Sequence, residues 1–212
     1  MQKLHHIRTD YTLMELTEAD IDKDPFKQFS KWMDDVLHPE NLYSTAMVLS
    51  TVSEECRPSS RVVLLKDFSE QGFEFFSNYQ SKKGKHLEKQ AFASLLFFWP
   101  QLERQVRIEG KVEKLSSDDS NKYFLKRPLE SQISACASPQ SSIITNRDNL
   151  VDWYKEFENI LGSATPKRPP HWGGYRLAPD LFEFWQGREY RLHDRIEYVK
   201  EKDGWQFHRL AP

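Results

Sequence analysis

Two cysteines in 212 residues, Cys56 and Cys136, are too few for a disulfide framework. Both are read as free thiols of a reducing compartment. Glycine is sparse as well, at eight residues. None is spaced as G-x-G-x-x-G or as a Walker loop, so neither a Rossmann phosphate turn nor a P-loop is predicted. No apolar run is long enough to span a bilayer. The opening stretch "MQKLHHIRTDYT" has no apolar h-region, so no signal peptide is expected and the chain is read as soluble and cytoplasmic. Net charge is only −2, which gives no bulk drive towards nucleic acid or a membrane surface. Any anion binding has to come from local clusters. The histidines are scattered, with no Cys or His partner at finger spacing, so no metal site is predicted. There is no internal repeat and no low-complexity tract.

Aromatic rings are what the chain has in plenty: 13% of residues, with six Trp and fourteen Phe. They suit a core or a site built from flat walls. Residues 1–23 are polar and aperiodic, and read as a mobile N-terminal arm or lid. In "DPFKQFSKWMDDVLH", Asp24 can cap and Pro25 suits the first turn. Phe26, Phe29, Trp32, Met33, Val36 and Leu37 share one helical face. A meander follows: "TAMVLSTVS", "SSRVVLLKDF" and "FEFFSN" as strands, a short basic helix capped by Ser81, then strands "FASLLFFWP" and "ERQVRIEGKVEKLS". Ser116 or Ser117 starts a helix through "DDSNKYFLKR" that Pro128 breaks, and Asn146 can cap "RDNLVDWYKEFENIL". The end is β again, in "HWGGYRLAP", "LFEFWQG", "RIEYVK" and "GWQFHRLAP". The pattern predicts a β-rich α+β fold, an antiparallel barrel with peripheral helices, with residues 24–212 as a single domain.

Several clusters bear on chemistry. Arg61 and Lys66 flank the apolar strand "RVVLLK". Five apart on a strand, they point to opposite faces, either as strand ends in solvent or as separate anion contacts. Ser77 and Ser81 lead into Lys82, Lys83 and Lys85 at a helix start. Lysines oppose the helix dipole there, and an anion would relieve the conflict; a solvated basic helix is the other reading. Gln105, on an apolar-rich strand, faces either water or the edge of a heterocycle. Tyr123 and Arg127 are i, i+4 on one helix face with Ser131 just beyond. They make either a phosphate pocket or a Tyr packed on an Arg stem. Gln140, Ser141 and Ser142 form a loop of small donors that suits a phosphate or is simply a turn. In "WQGREYRLHDR", strand alternation would put Arg191, His193 and Arg195 on one face beside the wall of Trp185. Phosphates and flat rings, with little acid–base equipment, point to chemistry carried by a cofactor.

Together these phrases resemble the pyridoxine/pyridoxamine 5′-phosphate oxidase family of flavin enzymes. "TAMVLSTV", "RVVLLK", "FFSN" with "SKKGKHLE", "LERQVRIEGKVEKLS", "YFLKRPLESQI", "PQSS", "WGGYRL", "EFWQG", "RLHDR" and "RLAP" stand in the family's order over nearly the whole chain. The resemblance implies a homodimeric FMN-binding split β-barrel with FMN at the subunit interface. It also implies oxidation of pyridoxine or pyridoxamine 5′-phosphate by O₂ to pyridoxal 5′-phosphate and H₂O₂, with ammonia from the amine. It implies that Arg61, Val62, Leu64, Leu65, Lys66 and Phe76 line the FMN site. Ser77, Lys82, Lys83, Gln140 and Ser141 would join Arg61 around the phosphate and ribityl chain. Gln105, Trp185 and Arg195 would hold the flavin ring. Lys66, Tyr123, Arg127 and Ser131 would bind the substrate phosphate, Arg191 and His193 would flank the pyridine ring as the catalytic pair, and Arg8 and Tyr11 would close over it. Lys82-Lys83 stands where Arg-Lys is usual, which loses a bidentate fork. Two other readings are a binder of FMN or pyridoxal phosphate without turnover, on the same barrel, and a nucleic-acid module using "SKKGKH". The near-neutral charge opposes the second.

Overall fold

The computed structural model describes residues 10–37 and 43–212. The expected contact Arg8 lies outside them. Among the described residues the strands form a nine-stranded sheet in the order β2-β1-β5-β6-β7-β4-β3, with β8 on β7 and β9 on β8. The ranges are β1 Ala46–Val52, β2 Pro58–Leu64, β3 Asp67–Ser69, β4 Gly72–Asn78, β5 Phe92–Trp99, β6 Arg104–Lys114, β7 Trp172–Gln186, β8 Asp194–Glu201 and β9 Gly204–Arg209. The pairs β3–β4, β4–β7, β7–β8 and β8–β9 are antiparallel. The helices are α1 Pro25–Val36, α2 Lys82–Lys89, α3 Ser117–Lys126, α4 Leu129–Ala137 and α5 Asp148–Leu161. The β-rich α+β class is as the sequence predicts. No helix among the described residues is long and apolar enough to cross a membrane.

The chain divides into two compact units. The first comprises Met1–Leu49, Ser94–Gly110 and Pro179–Pro212. Here α1 starts as predicted: the Asp24 carboxylate accepts from the Phe26 N–H at 2.9 Å, and Pro25 occupies the first turn. Its apolar stripe buries Phe29, Trp32, Met33 and Val36. Trp32 meets Phe184 edge to face at 5.2 Å, and the Arg104 guanidinium lies 4.5 Å over the Trp32 ring. Arg104 also donates to Gln186 at 3.0 Å and to Asp35 at 2.6 Å, so this buried cation is paired rather than stranded.

The second unit comprises Ser50–Ala93 and Lys111–Ala178. Ser81 caps α2 by accepting from the Gly84 N–H, and Ser116 caps α3 by accepting from the Asp119 N–H at 3.0 Å. Asn146 and Asn149 exchange side-chain-to-backbone bonds just before α5, but the helix begins at Asp148 with Arg147 as its N-cap and no side-chain cap, one residue later than the predicted Asn146 cap.

Three local expectations are corrected. "SSRVVLLKDF" is not one strand. β2 stops at Leu64, Leu65 is buried, and Lys66 donates its N–H to the Glu74 carbonyl at 2.9 Å before β3 begins. "HWGGYRLAP" and "LFEFWQG" are one strand, not two. Pro179 sits where the β4 ladder has ended at Leu177 and the β8 ladder has not begun at Leu181, so its missing N–H costs neither ladder a bond. Glu189–Arg191 is a 3-10 turn with Tyr190 and Arg191 at φ of 56° and 63°. β8 starts only at Asp194, so strand alternation does not relate Arg191 to His193.

Candidate active site

A cavity of about 550 Å³ opens in the second unit. β2 contributes Arg61, Val62 and Leu64, β4 contributes Phe76 and Ser77, and α2 contributes Lys83. Lys66 lies just past β2, Tyr123 on α3, Arg127 at its end, Ser131 in the first turn of α4, and Gln140 in the loop beyond. Arg61 and Lys66 thus line one cavity, which corrects the expectation of opposite faces. The break after Leu64 re-aims the chain between them.

Lys83 is buried, with 9% of its surface exposed. Its Nζ donates to Ser77 Oγ at 3.0 Å, to Ser81 Oγ at 3.3 Å and to Gln140 Oε1 at 3.0 Å. All three acceptors are neutral. Burial, and then repulsion from Arg61, push its pKa down to about 8. Arg61 donates to Thr51 Oγ1 at 2.7 Å, and that hydroxyl meets His86 Nδ1 at 3.1 Å.

Tyr123 stacks on Phe76 with ring centroids 3.8 Å apart. The Arg127 guanidinium lies 4.5 Å over Trp172, and its buried Nη1 has no hydrogen-bond partner among the described residues. Gln132 donates to the Arg127 carbonyl at 2.8 Å and holds its backbone. Burial and then mutual repulsion with Arg127 lower the Lys66 pKa. Among the described residues no carboxylate lies within salt-bridge distance of Lys66, Lys83 or Arg127. Cations without counter-charge, two of them buried or half-buried (Lys83 and Arg127), are costly alone and favourable around an anion. An aromatic wall beside them suits a flat ring.

A second cluster belongs to the first unit. Tyr11, Trp185 and His193 form a ring triangle with centroids 5.6, 5.7 and 4.7 Å apart. Gly187 makes room for it: a Cβ there would stand 2.6 Å from Tyr11 Cγ. His193 Nδ1 accepts from the Arg188 N–H at 3.1 Å. The neutral ring therefore carries its hydrogen on Nε2. Burial and the Arg191 charge lower its pKa, against a smaller opposite pull from Asp194. Arg195 faces Trp185 across the β7–β8 ladder and donates to Glu183 at 2.8 Å. Gln105 is half-buried on β6, and Arg191 is exposed.

Leu65 (buried), Lys82 (exposed) and Ser141 (exposed, φ 72°) lie off the cavity wall. Several residues that build these clusters escaped the sequence reading. Trp172 floors Arg127, and its signal was the ring beside the Gly173-Gly174 pair. Thr51 and His86 brace Arg61 with no local signal. Glu183 is a buried acid between Phe182 and Phe184, and an acid inside an aromatic strand was the clue to a buried ion pair.

Residues 33–160 match the family described as pyridoxamine 5′-phosphate oxidase, and residues 172–212 match the pyridoxine 5′-phosphate oxidase C-terminal dimerisation region. The chain is 54% identical to the pyridoxine/pyridoxamine 5′-phosphate oxidase of Herminiimonas arsenicoxydans, over 97% of this chain and 98% of that one. It is 50% identical to that of Ectopseudomonas mendocina (strain ymp), over 100% and 99%. Among solved structures it resembles PhzG from Burkholderia lata 383, crystallised with tetrahydrophenazine-1-carboxylic acid. That match has TM-score 0.87 at 28% identity, over 96% of this chain and 100% of that one. A pyridoxamine 5′-phosphate oxidase-related, FMN-binding protein of Nostoc punctiforme shares the split-barrel fold at TM-score 0.70 and 17% identity, over 89% and 97%. With both of its segments matched and half its residues identical to full-length relatives, the chain belongs to the pyridoxamine 5′-phosphate oxidase family.

Proposed function

We propose that this protein is an FMN-dependent oxidase acting on pyridoxine 5′-phosphate and pyridoxamine 5′-phosphate, with O₂ as the final acceptor. The products are pyridoxal 5′-phosphate and H₂O₂, with ammonia from the amine. The observation that carries the reading is the cavity in which Lys66, Lys83 and Arg127 converge beside an aromatic wall, with no carboxylate among the described residues to pair them. That donor set fits phosphate monoesters, each held by charge-assisted bonds. When bound, FMN supplies the two-electron acceptor that is reoxidised by O₂.

The chain's own residues bind, orient and exclude water. Lys83, Arg61, Ser77 and Gln140 hold the FMN phosphate and ribityl chain, with Lys82, Ser141 and Leu65 off the cavity wall at the margin and Val62, Leu64 and Phe76 shaping the apolar wall. Gln105, Trp185 and Arg195 hold the ring. Lys66, Tyr123, Arg127 and Ser131 anchor the substrate phosphate, which fixes the reacting carbon at attack distance. Arg191 and His193 flank the pyridine ring. With Nδ1 engaged by the Arg188 N–H, His193 offers Nε2–H as a donor. It therefore orients and polarises rather than abstracts a proton. Residues 1–23 serve as an N-terminal arm on the single domain 24–212, with Arg8 and Tyr11 closing over the substrate and shedding water. The protein works as a cytoplasmic homodimer with FMN at the subunit interface.

The test is anaerobic. FMN-loaded protein is mixed with pyridoxine 5′-phosphate, or with pyridoxamine 5′-phosphate, and the visible flavin band is followed. Bleaching, with recovery on admitting air, is expected. A band that never bleaches with either substrate refutes the oxidase and leaves a flavin-binding protein without turnover.

A further inference from the structure

Among the described residues Glu183 is the most deeply buried carboxylate of the first unit, at 3% exposure, between Phe182 and Phe184, which are fully buried. An aromatic strand is a costly place for a charge, and such a charge persists only when paired. Burial alone would raise its pKa, but hydrogen bonds from Arg195 and Arg107 outweigh that and hold it below the ordinary carboxylate value. Arg107 is shared with Glu109, on its own strand. Arg195 gives its Nε to Glu183 at 2.8 Å and its Nη1 to the Ala211 carbonyl at 2.7 Å. The Leu210 N–H donates back to the Arg195 carbonyl at 2.9 Å. The guanidinium is thus clamped on two sides, and among the described residues its Nη2 makes no hydrogen bond.

A long side chain at a strand start has many rotamers, and freezing it on binding costs affinity. A planar fork fixed beforehand, with one edge left open, meets a flat ligand without that cost. We infer that Glu183, with the Ala211 carbonyl as a second brace, is a positioning residue that pre-sets the Arg195 guanidinium for the flavin ring. The inference rests on the proposed role of Arg195 at FMN.

The experiment titrates FMN into flavin-free, full-length protein. It reads the Kd from fluorescence quenching and the ring environment from visible circular dichroism, with far-ultraviolet melting as the folding control. Variants are Glu183→Gln, Arg195→Met and the double variant. Glu183→Gln keeps shape and removes charge. Losing one charge-assisted contact's worth of order, it is expected to weaken FMN roughly tenfold. Its flavin dichroism should shift towards that of Arg195→Met, and the double variant should bind no more weakly than Arg195→Met alone, because the effect runs through Arg195. Wild-type Kd and dichroism in Glu183→Gln, beside a weakened Arg195→Met, overturn the positioning role and leave the oxidase reading intact. Full additivity in the double variant overturns it too. Wild-type binding and dichroism in Arg195→Met remove Arg195 from the flavin site and take the inference with it. Should Glu183→Gln fail to fold because Arg107 is left charged and unpaired, Arg107→Met/Glu183→Gln carries the same expectations.

Discussion

The proposed FMN site predicts that Lys83 makes flavin binding a function of pH in a window where few other groups titrate. The ammonium lies among Ser77, Ser81 and Gln140, and its pKa is pushed down to about 8 by burial and Arg61. A phosphate monoester is a dianion above its second pKa of about 6, so it prefers the protonated lysine. With the FMN phosphate on Lys83 as proposed, the protein must hold that proton to bind, and the apparent Kd is expected to scale as 1 + 10^(pH − 8) until the complex itself deprotonates. From pH 7 to pH 9 this is about a tenfold weakening, equivalent to about 1.4 kcal/mol. FMN titrations by fluorescence quenching at pH 6.5, 7, 8 and 9 would measure it. Riboflavin, which has no phosphate, should show a flat profile over the same range, and Lys83→Met should bind FMN more weakly and without the rise. A flat wild-type profile, or one with the same slope in Lys83→Met, refutes the argument.

Other outcomes follow from the same geometry. For flavin-free protein, the unfolded Lys83 near 10.5 binds more protons than the folded one near 8, so this group makes stability rise with pH between those values; melts of wild type and Lys83→Met across pH 8–10 should diverge accordingly. Arg127→Met removes the cation with an unpartnered Nη1 and should raise KM for the phosphorylated substrate by roughly 10- to 100-fold, the worth of one or two charge-assisted bonds, while FMN Kd stays near wild type. Gly187→Ala places a methyl 2.6 Å from Tyr11 Cγ and should unseat that ring, which intrinsic fluorescence of the Tyr11–Trp185 neighbourhood and a raised KM would register. Trp32→Ala empties a core site against Phe184 and strips Arg104 of its ring, and should cost about 3–5 kcal/mol in denaturant melts.

The sequence alone determined what is decided within a few residues. Asp24, Ser81 and Ser116 cap the helices they were expected to cap, because a cap needs only a side-chain oxygen and the N–H two or three residues on. Most of the face of α1 followed from spacing, except Leu37, which is the exposed C-cap beyond it, and the β-rich class followed from alternation and turn residues. The family was legible because its phrases stand in order along the whole chain. Tertiary structure decided what converges. Gln140 reaches Lys83 from 57 residues away, and Trp172 lies under Arg127 from the far end of another element. Arg61 and Lys66 line one cavity only because β2 stops at Leu64, and Leu65 turns inward there. Arg191 escapes strand alternation because it and Tyr190 sit at positive φ. The buried charge of Glu183 makes sense only once Arg107 and Arg195 are beside it. Each of these depends on sheet pairing between distant segments, whose register is set by packing many side chains at once rather than by the residues next door.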